Sequence, residues 1–409
     1  MSEWRRVPIG SVAVVRSGFA FKSKDWQAAG VPVVKIQNVR SGRVDLGRDC
    51  SFVSESVATT ASRYELVPGD VLITMSGEIG SVGVFKGGGR ALLNQRVGRV
   101  EPLDGTKIDQ QFLAFALQHP RVKAEFEAAA YGVAQANISP SLIAQVEINV
   151  PGIVDQRKIV AILFAMEELI ENNRRRIALL EQMAQAIYRE WFVHFRYPGH
   201  ERVELVDSPI GPIPPRWNVS DLGSEVLNFD RQREPLSRRE RSERPGTFPY
   251  YGAARLIDWI DGYLFDGDYL LVAEDGSVVT SEGFPILQRV RGQFWVNNHA
   301  HVLQGAGRVT TSFLELALER YPITGHITGA AQPKITQANL NRITMLVPSP
   351  AVMRAFSDVV DPLVDERFVL DAACGVLERT RDLLLPNLLT GAIAVSDLSL
   401  HDLLDQTPA

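Results

Sequence analysis

The chain is written twice, and that constrains its fold more than any other feature. Placing Trp4 on Trp217 lays "EWRRVPIGSV" on "RWNVSDLGSE", with Gly10 on Gly223 and Ser11 on Ser224. "PGDVLITMSGEIGSVG" then falls on "DGDYLLVAEDGSVVT", matching Gly69 and Asp70 with Gly267 and Asp268. Asn94 of "LLNQRV" falls on Asn297 of "WVNNHA". "GVAQANISPSLIAQVEINVP" lies on "GAAQPKITQANLNRITMLVP" at a constant offset of 197. That offset sets Gly132, Ala134, Gln135, Ile138, Val150 and Pro151 on Gly329, Ala331, Gln332, Ile335, Val347 and Pro348. Each identity is weak alone. Their order and near-constant spacing carry the repeat.

Each copy has two parts. The first is a globule of about 150 residues, an ordinary single-domain size. It reads as short strands broken by glycine-rich turns, "VPVVKIQNV", "DVLITM", "SVGVF" and "VEINV" in the first copy. The second copy offers "YLLVAED", "PILQRV", "HAHVLQ" and "ITMLV". One helix stands out in each, "DQQFLAFALQHP" and "TSFLELALERYP". Short strands with few helices predict an α+β unit around a small curved sheet. The second part is a long helix that begins just past a strand and a proline. The expected boundaries are a globule over 1–152, a helix over 153–200, a second globule over 201–348, and a second helix with a tail over 349–409.

From Gln156 to about Phe195 apolar residues recur every seven. One row is Ile159, Met166, Asn173, Leu180 and Ile187; the row four later is Leu163, Ile170, Ile177, Ala184 and Trp191. These are the seam positions of a coiled coil, and the polar Asn173 is the kind of residue that fixes register. The second helix repeats the row as Phe356, Leu363, Leu370, Leu377 and Leu384. Its other row, Val360, Arg367, Cys374, Arg381 and Leu388, is less apolar. Pro362 is expected to restart or kink this helix. Two apolar seams in one chain predict an antiparallel pair with a globule at each end, related by a pseudo-two-fold axis. A helix of roughly 35 residues spans about 50 Å, a fixed spacer. The competing arrangement uses the helices as arms that join two chains.

The net charge of −5 argues at first against a polyanion partner, but the charge is unevenly spread. Residues 350–409 hold ten acidic side chains against four basic ones. "RQREPLSRRERSER", Arg231 to Arg244, holds six Arg against three Glu. The field that matters is local, because it is screened within a Debye length. The stretch reads either as a polyanion contact or as a solvated mixed-charge loop. The two cysteines, Cys50 and Cys374, are far apart and not in a metal spacing, which argues against a disulfide or zinc scaffold and fits a reducing cytoplasm. No window reaches the apolar length of a membrane span, and "MSEWRRVPIGS" lacks a signal-peptide core.

Motifs of catalysis are missing. There is no phosphate loop, no nucleophile elbow, no HExxH and no aromatic-flanked Asn-Pro-Pro of an amino-methyltransferase. "SGEIGSVG" looks like a dinucleotide glycine loop but opens no helix, so a β-hairpin turn is expected. His299 and His301, two apart, would share a strand face and could hold a metal, but no adjacent carboxylate or Cys cluster supports one. Base-reading and structural roles remain for them. The same holds for Asn94, Gln95 and Arg96, since Asn and Gln suit adenine edges and Arg suits guanine edges. Tyr250 and Tyr251 follow the Arg-rich stretch; they are either flat surfaces beside phosphate contacts or core.

Several phrases in order resemble the specificity subunits of Type I restriction–modification systems. They are "SGFAFKSKDW" (17–26), "FPYYGA" (248–253), "YREWFVHF" (188–195) and "LLPNLLTGAI" (384–393). "VPGIVDQRKI" resembles the joint such proteins place between recognition domain and helix; "VPSPAVMRAF" departs from it by lacking the acid–Gln pair. The resemblance implies a non-catalytic reader of a bipartite, asymmetric DNA site, each globule a target recognition domain in the major groove. It implies helices that set the spacer and dock two methyltransferase subunits carrying S-adenosylmethionine. Up to two ATP- and Mg-dependent restriction subunits would join them. The residues then expected to meet DNA are Lys22, Lys24, Asn94, Gln95, Arg96, Arg231, Arg233, Arg238, Arg239, Arg241, Arg244, Tyr250, Tyr251, Asn298, His299 and Lys334. The rival from another class is a coiled-coil scaffold whose globules bind proteins.

Overall fold

A computed structural model of the chain describes residues 4–40, 42–47, 49–130, 137–329 and 332–395. The chain divides into two compact units, residues 1–172 with 373–409, and residues 173–372. The division falls inside both long helices, so each unit holds one globule and a half of each helix. Gly132, Ala134, Gln135 and Ala331 of the repeat lie outside the described residues.

Among the described residues the first unit contains twelve strands. They are β1 (Arg5–Pro8), β2 (Ala13–Ser17), β3 (Trp26–Gln27), β4 (Val31–Val34), β5 (Val39–Arg40) and β6 (Gly42–Val44). After them come β7 (Ser51–Val53), β8 (Val71–Thr74), β9 (Val82–Val84), β10 (Leu92–Leu93), β11 (Val97–Pro102) and β12 (Glu147–Val150). One sheet runs β2-β11-β8-β9-β6-β5 and a second runs β10-β4-β7-β3. The "SGEIGSVG" segment is the hairpin joining β8 and β9, as its turn chemistry predicts. Helix Gln110–Gln118 covers the first sheet, with Phe112, Leu113 and Leu117 fully buried. Asp109 caps it, its carboxylate accepting the amides of Gln111 and Phe112 at 2.9 and 3.0 Å.

The second unit contains β13 (Asn218–Asp221), β14 (Val226–Asn228), β15 (Pro245–Tyr251), β16 (Leu256–Ile260), β17 (Phe265–Ala273), β18 (Leu287–Val296), β19 (Ala300–Gly305) and β20 (Thr344–Val347). Its six-stranded order is β14-β19-β17-β18-β15-β16. The first four repeat β2-β11-β8-β9 with the same antiparallel pairings. The far end of β18 pairs parallel with β15, Tyr250 opposite Trp295, as β10 pairs parallel with β4, Val33 opposite Leu92. One long strand therefore replaces β9 and β10, which Gly87, Gly88 and Gly89 separate in the first unit. Gly292, at φ +90°, lies within this long strand in a conformation only glycine adopts cheaply. "FPYY" consequently stands where "VPVV" stands.

The ribbon that opens and closes each globule is the same. β1 pairs antiparallel with β12, Arg5 opposite Val150, and β13 with β20, Asn218 opposite Val347. These registers reproduce the offsets of the sequence match, 213 at the start and 197 at the end. Right after each ribbon comes a long helix, Ile153–Tyr188 and Pro350–Thr390. The first starts three residues earlier than Gln156 and ends in a wider turn, Arg189–Val193.

Within each unit the two helix halves run antiparallel. In the first, the Cys374 thiol donates to the Ile170 carbonyl at 3.8 Å, and Arg381 meets Glu167 at 2.6 Å. In the second, Arg176 meets Glu366 at 2.7 Å, and the Trp191 and Phe356 rings lie 5.8 Å apart. Ile159, Leu163, Ile170, Asn173, Phe356, Val360 and Leu370 are buried. Met166, Ile177, Leu180, Ile187, Leu363, Leu377 and Leu384 are half-buried. The two arginines that interrupt the second row are used: Arg367 reaches Glu315 at 3.0 Å and Glu181 at 3.7 Å. Pro362 does not restart the helix, which runs uninterrupted through it. It is exposed, so the carbonyl it deprives of a partner faces water.

The first joint is polar. Gln156 is fully buried, and its amide donates to the carbonyls of Pro151 at 2.8 Å and Lys107 at 3.0 Å. Its oxygen accepts the Asp109 amide at 2.8 Å. The second joint is apolar, with buried Met353 at the position equivalent to Gln156. At the far end, Gly391 (φ +76°) lies against Trp4; a Cβ there would sit 2.5 Å from the indole nitrogen. Trp217 likewise packs on Phe192, Phe195 and Tyr197.

Candidate nucleic-acid interface

The two units present the same turn. Asn94 is 8% exposed, and its side-chain oxygen accepts the Arg96 amide at 3.1 Å. Asn297 is also 8% exposed and accepts the His299 amide at 2.9 Å. The Asn94 amide donates to Val34 at 3.0 Å and the Asn297 amide to Tyr251 at 3.1 Å. The Met75 amide donates to the Arg96 carbonyl at 3.0 Å, as the Glu274 amide does to His299 at 2.8 Å. The carbonyls of Met75 and Glu274 accept the amides of Ile138 and Ile335, both at 2.8 Å. A buried Asn thus bonds the backbone two residues on and pushes the next pair into solvent. That pair is Gln95 and Arg96 in one unit, Asn298 and His299 in the other, all exposed.

This geometry sorts the expected contact residues. Asn94 caps the turn and does not face outward. Lys22 and Lys24 are exposed on the segment after Phe19, whose carbonyl accepts the Gln95 amide at 2.9 Å. Neither lysine, nor Arg96, has an ion-pair partner among the described residues. Of the Arg-rich stretch, Arg231, Arg238 and Arg239 are exposed, the last paired with Glu243 at 2.9 Å. Arg241 turns inward over the Tyr250 ring, bonding Asp258 at 3.2 Å and the Leu236 carbonyl at 2.7 Å. Arg244 bonds Asp261 at 2.8 Å and lies over Trp295. Arg233 is spent inside the protein. Its guanidinium reaches Glu274 at 2.6 Å and the carbonyls of Ala300 at 2.7 Å, Asp230 at 2.9 Å and Asn298 at 3.5 Å.

Tyr250 is a core residue, fully buried, its hydroxyl accepting the Leu236 amide at 2.9 Å. Tyr251 is half-buried against Phe294. Both stand at the places of Val33 and Val34, which explains their burial. Lys334 meets Glu274 at 3.1 Å, its side chain about half in solvent. Sequence reading missed the edge strand β16, where Ile257 and Trp259 are exposed beside Arg255.

His299 and His301 do not share a face. His299 is exposed, its Nδ1 held 2.5 Å from Asp275. His301 is buried, with Nδ1 2.6 Å from Asp230 and Nε2 2.8 Å from the Ile335 carbonyl. Carboxylates do reach His301 from distant sequence: ligand-type atoms of Asp230, Glu274 and His301 lie within 4.8 Å of one another. Arg233 and Lys334 already neutralise those carboxylates, so the donor set fits an ion-pair cage better than a cation. Burial pushes the Asp230 and Glu274 carboxyls up. Hydrogen bonds and charge outweigh it, led by His301 for Asp230 and Arg233 for Glu274, and hold both below the usual carboxylate range.

Two α+β units of like topology, each with a polar turn displayed by a buried Asn, make this an internally duplicated protein. Residues 1–182 match the family model of the Type I restriction modification DNA specificity domain. The MjaIX specificity subunit of Methanocaldococcus jannaschii is 21% identical over 97% of this chain and 95% of its own length. A Haemophilus influenzae protein that carries the name of a type I restriction enzyme specificity subunit is 32% identical. That match spans 36% of this chain and only 37% of the relative. Among solved structures, the Type I S subunit of M. genitalium shares the fold, with a TM-score of 0.62 at 16% identity over 95% of this chain and 96% of that one. Among the described residues no helix is long and apolar enough to cross a membrane.

Proposed function

We propose that the chain is the DNA-reading subunit of a Type I restriction–modification complex. Residues 1–152 and 201–348 act as target recognition domains, each reading one half of a bipartite, asymmetric site. Residues 153–200 and 349–409 act as spacer helices that fix the unread gap and dock two methyltransferase subunits. Those subunits supply S-adenosylmethionine chemistry, and restriction subunits supply ATP- and Mg-dependent steps; this chain supplies sequence choice. The observation that carries the reading is the repeated turn, Asn94–Arg96 and Asn297–His299, with the same backbone bonds but different displayed side chains. Gln95 and Arg96 suit adenine and guanine edges; Asn298 and His299 offer another donor and acceptor set. Lys22, Lys24, Arg231 and Arg238 supply phosphate contacts that position without specifying. Two like domains on one duplex face place half-sites about one helical turn apart, on the order of 10 bp.

Exchanging residues 201–348 for another such domain tests the assignment by selected-site binding. One half-site changes and the other stays. Both changing, or neither, overturns it.

A further inference from the structure

The two turns are alike in backbone but not in what lies beneath them. In the first unit Ser17 opposes Gly98, and Met75 bonds the turn. A Cβ on Gly98 would meet Val15, Ile73 and the Met75 sulfur at 3.1–3.3 Å, so the support is apolar and closely packed. The register of β14 with β19, Asn228 opposite Leu303, carries Asp230 to the place of Ser17 and His301 to the place of Gly98. Glu274 takes the place of Met75 by its matching backbone bonds. Arg233 falls on Ala20. Three small or apolar residues and an alanine are thus replaced by two carboxylates, an imidazole and a guanidinium, all half-buried or deeper.

Burying charge is expensive, and an apolar packing of similar volume is often as stable. The first unit is an apolar solution of the same fold. Stability alone therefore gives no reason for the charged version. Its geometry gives one: Arg233 reaches the carbonyls of Asn298 and Ala300, which flank His299, while Glu274 orients the guanidinium at 2.6 Å. His301 ties the same cage to the Ile335 carbonyl, and Lys334 closes it on Glu274.

We propose that Arg233 is a positioning residue for DNA reading by the second unit. It fixes the Asn298–His299 pair from behind and touches no phosphate. This rests on the reading of that turn as a DNA contact. Every strong bond of the guanidinium is already made within the protein, and its side chain is 12% exposed.

The test uses the full chain with its methyltransferase partners and a duplex selected from a randomised library by the unaltered protein. Arg233→Gln should lower discrimination among bases of the second half-site at least tenfold and leave the first half-site unchanged. The slope of log affinity against log salt should not move. A slope shallower by about 0.9 with discrimination intact would mean a lost phosphate contact and overturn the proposal. So would no change in either quantity. Glu274→Gln, which keeps the volume, should lower discrimination in the same way and serves if the first variant does not fold. Hydrogen exchange of the His299 amide, measured without DNA, should accelerate in both variants; unchanged protection also overturns the brace. The double variant Asn298→Ala/His299→Ala separates the two ideas. If it leaves the second half-site intact, the turn is not a reader, and the exchange data alone decide whether Arg233 holds it.

Discussion

Arg289 donates two parallel hydrogen bonds to Asp268, at 2.5 and 2.9 Å, from a side chain only 3% exposed. The same guanidinium reaches Glu315 at 3.1 Å, and Glu315 accepts from Arg367 on the second long helix at 3.0 Å. Arg291 adds Asp268 and Asp365, at 2.9 and 2.8 Å. The second globule is thus fastened to its helix by a chain of charge pairs. Removing one member of a buried pair strands the other, which costs about 3–5 kcal/mol. Arg289→Ala should destabilise the second unit by about that amount in urea unfolding and leave the first unit's transition in place.

The first joint makes a different demand. Gln156 satisfies three backbone groups, and Ala in its place removes the bonds to the part-buried Asp109 amide and to the carbonyls of Lys107 and Pro151. We expect Gln156→Ala to cost about 2 kcal/mol or more, read as a lowered Tm. Met353→Gln should also destabilise, because it places an amide in the apolar second joint.

Spacer length should follow helix length. Deleting one heptad from both helices removes about 10 Å from each. The preferred gap between half-sites should shorten while the half-sites stay the same. An unchanged gap in selected-site binding would end the spacer reading.

Two sets of carboxyls pull the pH dependence in opposite directions. Burial raises the Asp230, Asp268 and Glu274 carboxyls, but their bonds to His301, Arg289 and Arg233 outweigh it and leave them depressed. Their stabilisation is present above the ordinary carboxylate range and disappears as pH falls through their depressed values. Glu319 is raised, first by burial and then by the Glu315 charge. The folded protein holds that proton longer than the unfolded chain, so stability falls as pH rises through the window above the ordinary glutamate value. Thermal unfolding against pH should show Asp230→Asn losing its deficit in acid and Glu319→Gln gaining Tm toward neutral pH.

The repeat and the heptad seams were legible because each is a regular pattern in the residues themselves; of each ribbon only the closing strand, "VEINV" or "ITMLV", was legible, since its partner is supplied by the fold. The role of Asn94 was half legible. Its match to Asn297 marks a shared demand, and Asn bonding the backbone two residues on is a local habit. Which way Arg233, Arg241 and Arg244 point was not legible, since their partners Glu274, Asp258 and Asp261 arrive through the fold. Tyr250 was ambiguous until its pairing with Trp295 matched that of Val33 with Leu92. Pro362 does not restart the helix; it is exposed, and so is Asp358, whose carbonyl it leaves without a helical partner.

The matched ribbons, Arg5 with Val150 and Asn218 with Val347, have a consequence for how such a chain can vary. Each globule leaves and returns to its stem at one stitch. Segments between the stitches can lengthen, as the loop Gly87 to Gly89 does, or fuse, as β18 does, without shifting the residue where the next helix begins. Novelty can accumulate inside the pouch while the seam that closes it stays in register.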